Sequence, residues 1–129
     1  MKRLQILIIF ITIILFFLNS CTPKPTKKVP IAFESGQKHF HKVCASCHGA
    51  DGMGKQTKAP GLIGPEYLPE NFSDEEMYQQ IIEGSDKMPS QRNKASDSEI
   101  KEIIRYIRYS QKAADLVIEE DEPDDSDEE

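Results

Sequence analysis

Apolar and polar positions divide the chain into an apolar start, three amphipathic stretches and an acidic end. Positions 4–18 are apolar apart from Gln5 and Thr12. Farther along, Phe33, Gly36, Phe40, Val43, Cys44 and Cys47 recur every three or four residues, which predicts an amphipathic helix over 34–46. The glycine-rich stretch from Gly49 to Gly54 then favours a tight loop. Ser73-Asp74-Glu75-Glu76 has the form of a capping box and opens a second predicted helix, with Met77, Ile81 and Ile82 facing inward and Gly84 as its stop. Ser96-Asp97-Ser98-Glu99 is another such box. It opens a third helix whose apolar stripe is Ile100, Ile103, Ile104 and Ile107. No strand pattern competes, so the predicted fold class is all-α.

Composition changes this picture at the two ends. Of 129 residues, about 80 are left for one compact domain once the apolar start and the acidic finish are set aside. A core of that size is marginal by area alone, so a covalent or metal staple is expected. The net charge is −6, yet residues 119–129 hold nine acidic groups and no basic one, leaving the remainder at +3. Such a block reads as a solvated, disordered tail, with a docking arm for a basic surface as the alternative. There are three cysteines, and Cys21 lies far from Cys44 and Cys47, which argues against a disulfide framework.

The start of the chain reads as an export signal. Lys2 and Arg3 precede the apolar run, whose fifteen residues suit a signal-peptide core better than a spanning helix of about 20. Leu18-Asn19-Ser20-Cys21 closes that run and resembles the lipobox of bacterial lipoproteins. Asn19 departs from the small or β-branched residue usual there. The resemblance implies that residues 1–20 are removed and that Cys21 is lipidated; an uncleaved membrane anchor is the alternative. Both place the domain outside the cytoplasm and tether it to a membrane, and a stable lipid tether takes more than one acyl chain. Residues 22–31 hold three prolines and three lysines, the composition of an extended spacer. The expected division is therefore 1–20 signal, 21–32 lipidated cysteine and linker, 33–112 domain, and 113–129 tail.

The candidate chemistry lies in Cys44-Ala45-Ser46-Cys47-His48. A C-x-x-C-H run is the attachment site of c-type haem. Two thiols three residues apart lie on one side of a helical turn, where each can add to one of two porphyrin vinyl groups. The histidine that follows is then placed to offer an imidazole nitrogen to the iron. Zinc is a weaker reading, because no second Cys/His pair follows at finger-like spacing. A thioredoxin-like redox pair would need a βαβ pattern, which is absent.

Around this motif, from about Phe33 to Gln111, the sequence resembles a class I bacterial cytochrome c. In that family a first helix carrying a glycine and an aromatic crosses a C-terminal helix, and the matching positions are Gly36 and Phe40 against Ile103 and Tyr106. Pro60-Gly61-Leu62 matches the loop after the haem motif. The resemblance implies that the Pro60 carbonyl accepts a hydrogen bond from the far nitrogen of His48 and that Leu62 packs on the haem. Lys87-Met88-Pro89 matches the region that supplies the sixth iron ligand. Among the alternatives, Met53 lies only five residues from His48 and Met77 falls on the buried face of a helix. His39 and His41 precede the motif on its own helix and read as solvated side chains. The chain has no tryptophan, which often contacts a haem propionate in this family, leaving Tyr67, Tyr78 and Arg92 as possible substitutes.

The resemblance implies one covalent haem c, attached through Cys44 and Cys47, with axial ligands His48 and Met88. It implies a single-electron carrier rather than an enzyme. Its partners would be redox proteins such as a membrane dehydrogenase, oxidase or reductase, with a lipid-anchored membrane beside it and neither nucleic acid nor a small-molecule substrate. Two other functions compete: a haem peroxidase or gas-binding sensor with an open sixth position, and a haem subunit of a larger respiratory complex.

Overall fold

The computed structural model describes Arg3, Gln5, Ile6 and Ile9, then residues 23–55 and 57–116. Cys21, most of the apolar run and the acidic block after 116 lie outside the described residues. Among those that are described, the chain is helical and has no strand. Four helices follow in order: α1 (Ile31–Val43), α2 (Ala45–His48), α3 (Asp74–Glu83) and α4 (Asp97–Ala113). Two 3-10 turns, Ala50–Gly52 and Pro65–Tyr67, lie in the connection between α2 and α3. No described helix is long and apolar enough to cross a membrane.

The predicted first helix differs from the observed one at both ends. It starts at Ile31, immediately after Pro30, with the Phe33 N–H bonded to the Pro30 carbonyl at 2.9 Å. It ends at Val43, because the chain bends at Cys44 (φ −106°) before α2 begins. The Cys44 carbonyl then accepts from both Cys47 and His48, at 3.1 and 3.0 Å, so the whole haem motif forms one tight turn. Both capping boxes form as read. Ser73 and Glu76 satisfy each other's backbone N–H groups at the start of α3, and Ser96 and Glu99 do the same for α4.

Packing centres on the crossing of α1 over α4. A side chain at Gly36 would place its Cβ 2.1 Å from the Glu102 carbonyl oxygen and 2.8 Å from the Tyr106 Cβ. Only glycine lets the two backbones approach that closely. Phe40 and Tyr106 meet beside it with ring centroids 5.5 Å apart, and both are buried with Ile100, Ile103, Ile104 and Ile107. Helix α3 adds Met77, Ile81 and Ile82 to the same core. Each large apolar side chain buried this way contributes about 1.5–3 kcal/mol relative to exposure. Phe33, read as inward-facing, is only half-buried and stacks on Tyr109 at 4.3 Å.

The linker departs further from expectation. Its last residues are docked on the domain instead of forming a free spacer. Both the backbone N–H and the hydroxyl of Thr26 donate to the Asp51 carboxylate, at 2.9 and 2.5 Å. Gln37 donates to the Lys27 carbonyl at 2.8 Å, and Val29 packs against the core.

Candidate functional site

Helix α2 positions the motif. Cys44 is buried and Cys47 exposed, and both are free thiols. Burial is the main cause that raises the Cys44 pKa to about 12, with neighbouring Cys47 adding to it and Lys94 opposing. Burial therefore keeps the Cys44 thiol in its neutral form at neutral pH. No group of three or more His, Cys, Asp or Glu able to hold a metal ion occurs among the described residues.

His48 is fixed on three sides. Its N–H bonds to Cys44, its carbonyl accepts from Gly54 at 2.6 Å, and its Nδ1 lies 2.8 Å from the Pro60 carbonyl oxygen. A carbonyl can only accept, so Nδ1 carries the proton and Nε2 keeps its lone pair. That is the tautomer an iron ligand requires, and a hydrogen bond on the far nitrogen orients the ring and increases its basicity. The loop making this bond is held by close backbone contacts. A Cβ on Gly49 (φ +80°) would fall 2.1 Å from the Gly54 carbonyl, and one on Gly54 would fall 2.9 Å from the Gly61 nitrogen. The Leu62 N–H closes the loop onto the Gly52 carbonyl at 2.7 Å.

Leu62 and Met88 both pack, partly buried, against the core cluster that contains Cys44. Met88 sits in a turn after α3. The Ser85 N–H bonds to the Met88 carbonyl at 2.7 Å, and the Met88 N–H returns to the Ser85 carbonyl at 3.2 Å. The Ser90 hydroxyl donates to the Ile82 carbonyl at 2.6 Å, fixing the turn to α3. The Met88 thioether itself has a weaker partner, the Gln80 amide nitrogen at 3.8 Å. Met77 is buried in the core, as its place on the helix predicted, and Met53 is 53 % exposed. Pro60 is exposed and enters through its carbonyl alone. The side chains present fit a covalently bound haem: two free thiols one turn apart, an imidazole with its lone pair on Nε2, and a half-buried leucine and methionine that both pack against the core cluster containing Cys44.

Two expectations change. His41 is buried, not solvated. Its Nδ1 donates to the Gln37 carbonyl at 2.8 Å and its Nε2 accepts from the Asp51 N–H at 3.2 Å, so both ring nitrogens are engaged. His39 pairs with Glu99 at 3.2 Å. Of the tryptophan substitutes, Tyr78 donates its hydroxyl to Asp97 at 2.8 Å, Tyr67 is half-buried edge-on to Phe72, and Arg92 is exposed. Two hollows of about 310 and 220 Å³, one lined by Arg92, Lys94 and Glu99 and the other by Met53, Ile63 and Glu66, are lined by neither His48 nor Met88.

Two polar clusters escaped the sequence reading. Asp51 is buried at φ +54° and takes bonds from Thr26 and, at 3.0 Å, from the Tyr106 hydroxyl. Burial alone would raise its carboxyl, but the bonds from Thr26 and Tyr106, with His41 nearby, outweigh it and lower the pKa. Burial first, then the bond to Asp51, pushes Tyr106 up to about 12. The second cluster ties the 62–72 loop to α4. Gln111, fully buried, donates to the Leu62 and Tyr67 carbonyls, while Arg108 donates to the Tyr67 and Phe72 carbonyls and to Asp74.

Residues 32–107, more than half of the chain, match the family model described as cytochrome c oxidase, cbb3-type, subunit III. Neither any curated protein nor any solved structure matches the chain significantly.

Proposed function

Because the chain belongs to the cbb3-type cytochrome c oxidase subunit III family, its domain is a c-type cytochrome with covalently bound haem c, and we propose that it is a single-electron carrier with both axial positions filled. In this reading Cys44 and Cys47 carry the thioether bonds, and His48 and Met88 are the axial ligands. The haem supplies the one-electron couple. Pro60 holds the imidazole through Nδ1, and Leu62 helps keep water from that face. Methionine at the sixth position favours the ferrous state over what two histidines would give. With no coordination site left for a substrate, the domain's partners are proteins met at a small, short-lived contact.

The observation that supports this reading most directly is the 2.8 Å contact between His48 Nδ1 and the Pro60 carbonyl, which leaves Nε2 as the ligating atom. A second reading, a haem subunit held in a respiratory complex, is favoured by the family's own description as an oxidase subunit. The lipid anchor at Cys21 and the position outside the cytoplasm belong to the same proposal and rest on the sequence.

The test is electrochemical. The matured protein should take up and release one electron reversibly, and its ferrous form should not bind carbon monoxide. Ready binding of carbon monoxide would move the peroxidase or gas-sensor reading to the front. Recovery of the native protein only within a larger assembly would favour the subunit reading.

A further inference from the structure

The Thr26–Asp51 contact uses a buried carboxylate to hold a residue that sequence alone assigns to a free spacer. Both Thr26 donors converge on the same Asp51 oxygen, and that carboxylate is fixed from behind by Tyr106. The domain's attachment to the tether therefore begins at Thr26, five residues after Cys21, and not at the start of α1. A chain spans at most about 3.3–3.6 Å per residue, so the free tether reaches roughly 18 Å, where one running to Ile31 would reach roughly 36 Å. A domain of this size has a radius of gyration of about 12 Å and is roughly 30 Å across. A tether shorter than the domain's own width keeps one end of it turned toward the anchor.

That end is basic. Lys24, Lys27 and Lys28 flank Thr26, Lys55 and Lys58 follow Asp51, and all five are exposed. None of them forms an ion pair among the described residues. No acidic residue occurs between Pro23 and Pro30 or between Met53 and Ala59. Met53, two residues from the mooring point and two before Lys55, is 53 % exposed and offers an apolar side chain, beside a hollow that Glu66 also lines. Lysines with an apolar neighbour, held within about 18 Å of a bilayer and free to approach to the roughly 8–10 Å over which its surface field decays, suit anionic phospholipid headgroups.

We infer that Asp51 moors the tether through Thr26 and so presents the Lys24, Lys27, Lys28, Met53 and Lys55 end of the domain to an anionic membrane surface. This rests on the proposed anchor at Cys21. The orientation leaves the rest of the domain's surface facing away from lipid, toward soluble partners.

The experiment uses the full-length, haem-loaded chain in vesicles of phosphatidylcholine with phosphatidylglycerol, carrying a spin label at Met53→Cys. The label should sit at headgroup depth, shielded several-fold from a water-soluble relaxation agent, and lose that shielding in a Thr26→Pro chain. This variant removes both donors but leaves Asp51 and the core untouched. Equal exposure of the label in both chains would overturn the inference. So would a label that becomes shielded only after residues 119–129 are deleted, because the acidic tail would then be covering the lysines. Failure of the chain to sediment with vesicles would overturn the anchor reading and the membrane face with it. Slow exchange of the Thr26 amide in the soluble fraction would still support the mooring, and fast exchange would remove that as well.

Discussion

The two sides of the proposed haem site are built differently. On the histidine side the side chain itself is locked: the His48 ring bonds to Pro60, and the surrounding loop is closed by glycines whose backbones touch. On the methionine side the turn over 85–88 is locked while the thioether has only a 3.8 Å contact with Gln80. One side is organised around the ligand atom, and the other delivers a flexible side chain from a fixed backbone. If His48 and Met88 are the axial pair as proposed, this difference predicts that histidine ligation is set by the fold and that methionine ligation is a separate, weaker step, removable without losing the haem.

Glycine substitutions on the two sides should separate these roles. Gly49→Ala forces a side chain into positive φ and onto the Gly54 carbonyl. It should cost about 3 kcal/mol or more, and the yield of covalently attached haem, read from haem-stained gels, should fall severalfold. Gly84→Ala meets the Met88 carbonyl at 2.5 Å, also at positive φ. Its cost should be smaller, about 2 kcal/mol, with haem attachment near normal but carbon monoxide binding to the ferrous form. Equal loss of attachment in both variants would break the comparison.

A smaller effect concerns the floor of the histidine side. The Asp51 carboxyl has its pKa lowered from 3.8 in the fold. A depressed folded pKa means its stabilisation is complete above the unfolded value and is lost as pH falls through the folded one. Unfolding midpoints should therefore drop below about pH 4. Asp51→Asn should lower stability at pH 7 by about 1–2 kcal/mol and flatten that acid limb. An acid limb of unchanged steepness in the variant would remove Asp51 from the account.

These parts were not equally legible in the sequence. The C-x-x-C-H motif and both capping boxes are written in local spacing, and both boxes form as read, whereas the Gly36–Tyr106 crossing joins distant positions and was legible only through the family resemblance. The bend at Cys44 was missed because the apolar periodicity runs unbroken through it. Asp51, His41, Arg108 and Gln111 were missed for another reason. Each has at least one partner 10 to 55 residues away, and a polar residue in a helix or glycine loop reads as solvated until the tertiary fold buries it. Two signals were nonetheless present. An aspartate in a glycine-rich loop tolerates positive φ, and Gln111 continues the stripe of Ile100, Ile103, Ile104 and Ile107 by one more helical turn.

The most direct test of the ligand assignment is the weak far-red charge-transfer band of a ferric iron–methionine bond, recorded for the matured protein and for Met88→Ala. The band should be present in the parent chain and absent in the variant, with haem attached in both. A band that survives Met88→Ala, or that is missing from the parent, would contradict His48 and Met88 as the axial pair.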